Sequence, residues 1–223
     1  MPDFNSNIPH RKSIRLKGYD YSKAGWYFIT MCVQDRACLF GEIRVGAPLR
    51  GRPDPQMILN DGGEMIAKWY YELENKYPGI RCREMVVMPN HFHCIIEIMD
   101  DHQWDAHVGA PLRGRPIDAI KSRPIDAIQS HPVDGPQYGP DNKKFGVTVG
   151  EMVDWFKTMT TNEYIRGVKN QGWKRFDGKL WQRNYWEHII PDEDAYCRIA
   201  TYILQNPSKW HDDQLKPLFS NDI

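Results

Sequence analysis

Two histidines one residue apart, His91 and His93, open the run His91-Phe92-His93-Cys94-Ile95-Ile96-Glu97-Ile98, directly after Pro89-Asn90. In an extended strand, side chains at i and i+2 leave the same face, so both imidazoles can meet one metal ion while Phe92 packs on the other side. Apolar residues before and after the pair put it on a buried strand, where an imidazole needs a polar partner. A His-X-His pair by itself also reads as two ordinary histidines, so its meaning depends on what else the fold brings to it. Far downstream, Tyr202 and Asn206 stand four residues apart in a segment of helical periodicity, on one face and about one turn from each other. A tyrosine beside a metal-bound phosphate can attack phosphorus and hold a covalent phosphotyrosine, and an amide oxygen one turn later can complete the metal's ligand set. Tyr185 and Tyr164 are rival nucleophiles by type, and Asn206 before Pro207 also reads as a plain helix stop.

The elements that must position these residues can be read from period and punctuation. Gly25 to Val33 is an aromatic and β-branched run that predicts a first strand, and Leu39 to Arg44 a second. Asn60 or Asp61 caps a helix in which Met65, Ile66, Trp69, Tyr70 and Leu73 recur at helical spacing until about Lys76. Arg81 to Met88 and His91 to Met99 read as two strands broken by Pro89-Asn90. Thr148-x-x-Glu151 forms a capping box for a helix to about Arg166, with Met152, Trp155, Phe156 and Met159 on one face. A turn at Gly178 and a short strand over 179–183 follow, and Asp192 opens the helix that carries Tyr202.

Composition narrows the class. A 223-residue chain that is 41% hydrophobic, with 8 Trp, 11 Tyr and 8 Phe, can bury a core. Formal net charge is zero. Local charge is more telling. Arg11, Lys12, Arg15 and Lys17 crowd the N-terminus, and Lys157 to Arg183 holds seven basic residues against Glu163 and Asp177, interleaved with Trp173, Phe176 and Trp181. That mixture suits a single-stranded nucleic acid, whose phosphates need cations and whose bases stack on rings. Five scattered cysteines with no C-x-x-C pair argue against a disulfide framework and a zinc ribbon, and no apolar run reaches membrane length; the expectation is an intracellular protein without a membrane partner.

Taken together, Pro89-Asn90-His91-Phe92-His93, Leu180-Trp181-Gln182-Arg183-Asn184-Tyr185-Trp186-Glu187-His188 and Tyr202-Ile203-Leu204-Gln205-Asn206-Pro207 resemble, in order and spacing, the REP-associated tyrosine transposases. These belong to the His-hydrophobe-His single-strand DNA endonucleases. The resemblance spans about residues 11 to 210. It implies an α+β, ferredoxin-like domain with a central antiparallel sheet packed by helices, covering 1–223 with one insertion. It further implies His91 and His93 as ligands of Mg²⁺ or Mn²⁺, Asn206 as a third polar ligand, and Tyr202 as the nucleophile that makes a 5′-phosphotyrosine link and frees a 3′-hydroxyl. The implied partner is single-stranded or hairpin DNA of palindromic repeats. Arg11, Lys12, Arg15, Lys17, Lys174, Arg175 and Arg183 are the candidate DNA contacts of a cytoplasmic, nucleoid-associated monomer or homodimer. The competing functions are a DNA-binding protein of the same fold that no longer cuts, and a replication or mobilisation nickase.

One stretch departs from that pattern. Val108 to Pro116 repeats residues 45 to 53 letter for letter, and an eight-residue unit then recurs at Gly114 to Lys121, Ser122 to Gln129 and, degraded, Ser130 to Gln137. Proline at this density with few large apolar residues cannot build a packed core, so about 101–145 reads as an insertion and 45–56 as a shorter related loop. Val-Gly-Ala-Pro-Leu-Arg can be encoded starting GTAGGGGCGCCCCTAC, which is its own reverse complement; both copies are then translated palindromic DNA. The codons for residues 45–50 and 108–113 are expected to be self-complementary. Sequencing the gene checks this, and non-palindromic codons in both copies would remove that origin.

Overall fold

The computed structural model describes residues 19–45, 55–100 and 147–215. The insertion expected at 101–145, most of the 45–56 loop, and Arg11, Lys12, Arg15 and Lys17 lie outside the described residues.

The chain runs β1 (Gly25–Cys32), β2 (Gly41–Val45), β3 (Pro55–Leu59), α1 (Asp61–Lys76), β4 (Ile80–Val87), β5 (His91–Ile98), α2 (Val149–Gln171), β6 (Trp186–Ile190) and α3 (Glu193–Gln205). Strand β1 decides the layering because both of its faces are buried, Tyr27, Ile29 and Met31 on one and Trp26, Phe28 and Thr30 on the other. Such a strand must lie inside a sheet with cover on both sides. It does: the four-stranded sheet has the order β4-β5-β1-β6, and every neighbouring pair is antiparallel. With α1 between β1 and β4 and α2 between β5 and β6, this is the β-α-β-β-α-β path of a ferredoxin-like α+β fold. The separate hairpin of β2 and β3 sits outside that sheet.

Helices α1 and α2 cover one face. Tyr27, Ile29, Met31, Phe92, Cys94 and Ile96 meet Met65, Ile66, Tyr70 and Leu73 of α1 and Met152, Val153 and Phe156 of α2. Helix α3 covers the other face, where Trp26, Phe28, Ile95 and Ile190 meet Ala195, Ala200 and Ile203. Asn60 caps α1 by accepting from Gly63 N–H, the Thr148–Glu151 capping box starts α2, and Asp192 accepts from Ala195 N–H to start α3. The first turns of α3 are held on β4, with the Tyr196 hydroxyl donating to the Glu84 carboxylate and its ring against Trp26 at 5.0 Å. Beside it Arg83 and Glu97 pair at 2.6 Å. At about 1.5 Å per residue, that anchor fixes the height at which Tyr202 arrives over the sheet, six residues on.

Three elements differ from the sequence-based expectation. The short strand expected over 179–183 is only an isolated bridge between Val33 and Trp181, and the edge strand begins at Trp186. The reason is that Lys157 Nζ donates to the carbonyls of Gln182 and Arg183, at 2.9 and 3.3 Å, while the Trp181 indole donates to Thr160 Oγ1. Those carbonyls are held by a side chain instead of a ladder. Strand β3 occupies the end of what reads as loop, because its partner β2 supplies the pairing that the local sequence cannot reveal. Helix α2 continues past Arg166 to Gln171 and stops at Gly172 in the left-handed conformation (φ 72°). It passes through Gly167, where a Cβ would lie 2.2 Å from the Trp173 ring, so the glycine is a packing requirement there and not a stop. All five cysteines are free, and no described helix is long and apolar enough to cross a membrane.

Candidate active site

Register carries the histidines to the α3 face. Thr30 of β1 lies opposite His93, and Cys32 opposite His91. The two imidazoles are buried with ring centroids 4.6 Å apart. Each ring is held through Nδ1: His93 by Thr30 Oγ1 at 2.7 Å, His91 by Asn90 Oδ1 at 2.8 Å. The Asn90 orientation is set by its amide nitrogen, which donates to the carbonyls of Arg36 and Leu215. Its oxygen must therefore accept, so His91 Nδ1 carries the proton and Nε2 offers a lone pair. The preceding turn is pinned as well, since Pro89 O accepts from Leu39 and Phe40 N–H.

Electrostatics keep the pair neutral. Burial lowers His91 to about 4, with Asp213 and Asn206 pulling the other way and Arg36 adding to the fall. Burial, and then the neighbouring His91, push His93 well below the usual imidazole value. Near neutral pH both rings are uncharged and can act as lone-pair donors.

Tyr202 reaches this pair from α3. Its hydroxyl lies 3.4 Å from His93 Nε2, a loose contact, and its ring meets His93 at 5.4 Å and Phe28 at 6.1 Å. Tyr202 is 39% exposed, so it is open to solvent. Burial raises its phenol pKa, Asn206 lowers it and Asp213 raises it. Asn206 caps α3 in helical conformation and is itself buried. Past it, a 3-10 segment, Pro207–Asp212, lays Trp210 over His91 at 6.1 Å and brings Asp213 Oδ2 to 3.6 Å from His91 Nε2.

The donor set suits a divalent cation. His91 Nε2 and Asn206 Oδ1 are buried without a hydrogen-bond partner of good geometry, although the Asn206 amide is close enough to influence both His91 and Tyr202. Orphaned lone pairs of this kind are costly unless something fills the space between them. Among the described residues no three His, Cys, Asp or Glu side chains converge as a metal cluster. A cation held here therefore relies on two imidazoles and an amide, with the remaining positions left to phosphate and water.

Of the three tyrosines considered from sequence, Tyr202 is the one on the tyrosine helix that meets His93. Tyr164 is buried on the α1 and α2 side and donates to Lys174 O. Tyr185 packs against that same core, with Lys157 Nζ 5.4 Å from its ring centre. Arg183 is exposed in a segment whose Gln182 N–H donates to Cys32 O, beside the His91 end of β1. Lys174 and Arg175 are exposed after α2, and Lys174 Nζ donates to Cys38 O at 3.3 Å. Thr30, Asn90, Trp210 and Asp213 went unrecognised in the sequence. Thr30 becomes legible only once β1 is paired with β5; Asn90 lies inside the His motif but has no visible role there, and nothing in the local pattern marks Trp210 or Asp213.

The sequence is 35% identical over 215 residues to an uncharacterized protein of Haemophilus influenzae, covering 95% of this chain and 96% of that one. No family model matches. Among solved structures, a REP-associated tyrosine transposase bound to a REP hairpin aligns over 92% of this chain and 87% of that one, at 17% identity and TM-score 0.42.

Replacing Thr30 with valine keeps the shape of the side chain but leaves His93 Nδ1 unpaired in a buried place. Thr30→Val is expected to cost about 1–3 kcal/mol of stability, read by urea denaturation of the metal-free protein. Unchanged stability would show that Thr30 does not hold the ring.

Proposed function

We propose that this chain, which belongs to the same family as the Haemophilus influenzae protein, is a metal-dependent single-strand DNA endonuclease and strand transferase of the tyrosine transposase type. The observation that carries the reading is the placement of the Tyr202 hydroxyl at His93 Nε2, beside two buried, unpaired ligand atoms, His91 Nε2 and Asn206 Oδ1. The sequence order of the His pair, the Trp181 to His188 segment and the tyrosine helix supports the same reading.

His91, His93 and Asn206 would hold the cation. When bound, it would polarise the scissile phosphate and favour the phenolate. The chain's own part is orientation. Thr30 and Asn90 fix the two rings, and the Tyr196–Glu84 contact fixes the helix that presents Tyr202. In the cutting step the Tyr202 oxygen forms a bond to phosphorus and loses its proton to solvent, which its partial exposure permits. The bond from phosphorus to the 3′-oxygen breaks, and that oxygen leaves as a 3′-hydroxyl after taking up a proton. A second 3′-hydroxyl reverses the step on a new strand, so joining needs no nucleotide cofactor. Hairpin DNA of a palindromic repeat is the proposed substrate, and Arg183, exposed beside the His91 end of β1, a proposed backbone contact.

Incubation with a hairpin-bearing single strand and Mn²⁺ is expected to give an adduct that survives denaturation, lost in Tyr202→Phe and on EDTA treatment but retained in Tyr185→Phe. Mn²⁺ should also raise the melting temperature of the wild type and not of a His91→Ala, His93→Ala double variant. An adduct that persists in Tyr202→Phe would contradict the assignment.

A further inference from the structure

Among the described residues Trp186 is the exposed tryptophan, at 45%, whereas Trp26, Trp181 and Trp210 are each below 9%. It lies on β6, the last strand of the sheet order, so its outer side has no neighbouring strand. Trp186 is opposite Thr30 and His188 is opposite Phe28, which puts both on the face that carries His93. The two rings form one stacked unit, with centroids 5.7 Å apart and planes 10° from parallel. Phe28 joins that unit to the site: its ring meets Trp186 at 5.4 Å, His93 at 5.5 Å and Tyr202 at 6.1 Å.

An indole left in water beside a reactive tyrosine, and braced by a second ring, has the form of a stacking surface. Its setting favours a nucleotide over an apolar protein surface. Arg183 precedes it by three residues and Arg198 precedes Tyr202 by one helical turn, and both are exposed. A strand whose phosphate reaches Tyr202 thus finds aromatic surface on one side and cations along its path.

We infer that Trp186, braced by His188, is a base-stacking subsite for an unpaired nucleotide flanking the phosphate that Tyr202 attacks; this rests on the function proposed above. The subsite takes any base, because stacking uses the ring face and not the hydrogen-bonding edge.

The test compares fluorescence anisotropy of labelled oligo(dT) with that of an abasic oligomer of equal length and charge. Trp186→Ala is expected to weaken oligo(dT) binding about tenfold, leave the abasic oligomer unchanged, and be largely rescued in Trp186→Phe. Equal loss on both probes, no loss on either, or no binding of oligo(dT) by the wild type would each overturn the inference. The assay involves no cleavage, so a missing covalent adduct would count against the proposed function alone, and a missing base dependence against the subsite alone.

Discussion

The site depends on the register of β1 against β5. One alignment puts Thr30 across from His93 and Cys32 across from His91, sends Phe92 and Cys94 into the core under α1 and α2, and turns the imidazoles toward α3. Slipping the pairing by one residue would exchange the faces and bury both histidines among apolar side chains. Register is secured because both faces of each strand are buried, so an error is penalised on two sides. The same alternation makes Phe28 a neighbour of His93, Tyr202 and Trp186 together.

Burial does a second job at these residues. It keeps both rings neutral, the form in which an imidazole gives its lone pair to a cation. Buried polar groups are tolerated when each finds a partner, and here Nδ1 of each ring does. At this site His91 Nε2 and Asn206 Oδ1 are left without a hydrogen-bond partner, and Asn206 is close enough to Tyr202 to lower its phenol pKa. Asp213 approaches His91 Nε2 without making a close contact. Two unmet lone pairs in one neighbourhood, both on residues that can ligate a cation, are a costly arrangement for a fold to keep without an occupant.

Much of this was legible in the sequence, for local reasons. The i and i+2 spacing of His91 and His93, the caps Asn60, Thr148 and Asp192, and the four-residue step from Tyr202 to Asn206 are short-range signals, and each appears in the fold at its expected place. What escaped was long-range. Thr30 is sixty-three positions from its ring partner. Asn90 looks like a turn residue until its amide is seen bridging Arg36 and Leu215. The strand expected over 179–183 failed because Lys157, far along the chain, takes the carbonyls a ladder would have used. Trp186 is one of several aromatic residues interleaved with basic ones in the sequence, and only the sheet order, which makes β6 an edge, sets it apart.

The central claim is that Tyr202, poised at His93, is the residue that becomes joined to DNA. Mass spectrometry of peptides from the denatured protein, after reaction with a hairpin-bearing single strand and nuclease trimming, reads that residue directly. A nucleotide 5′-phosphate carried on the Tyr202 peptide is the expected result. The same mass increment on the Tyr185 or Tyr164 peptide, or on none, would contradict it.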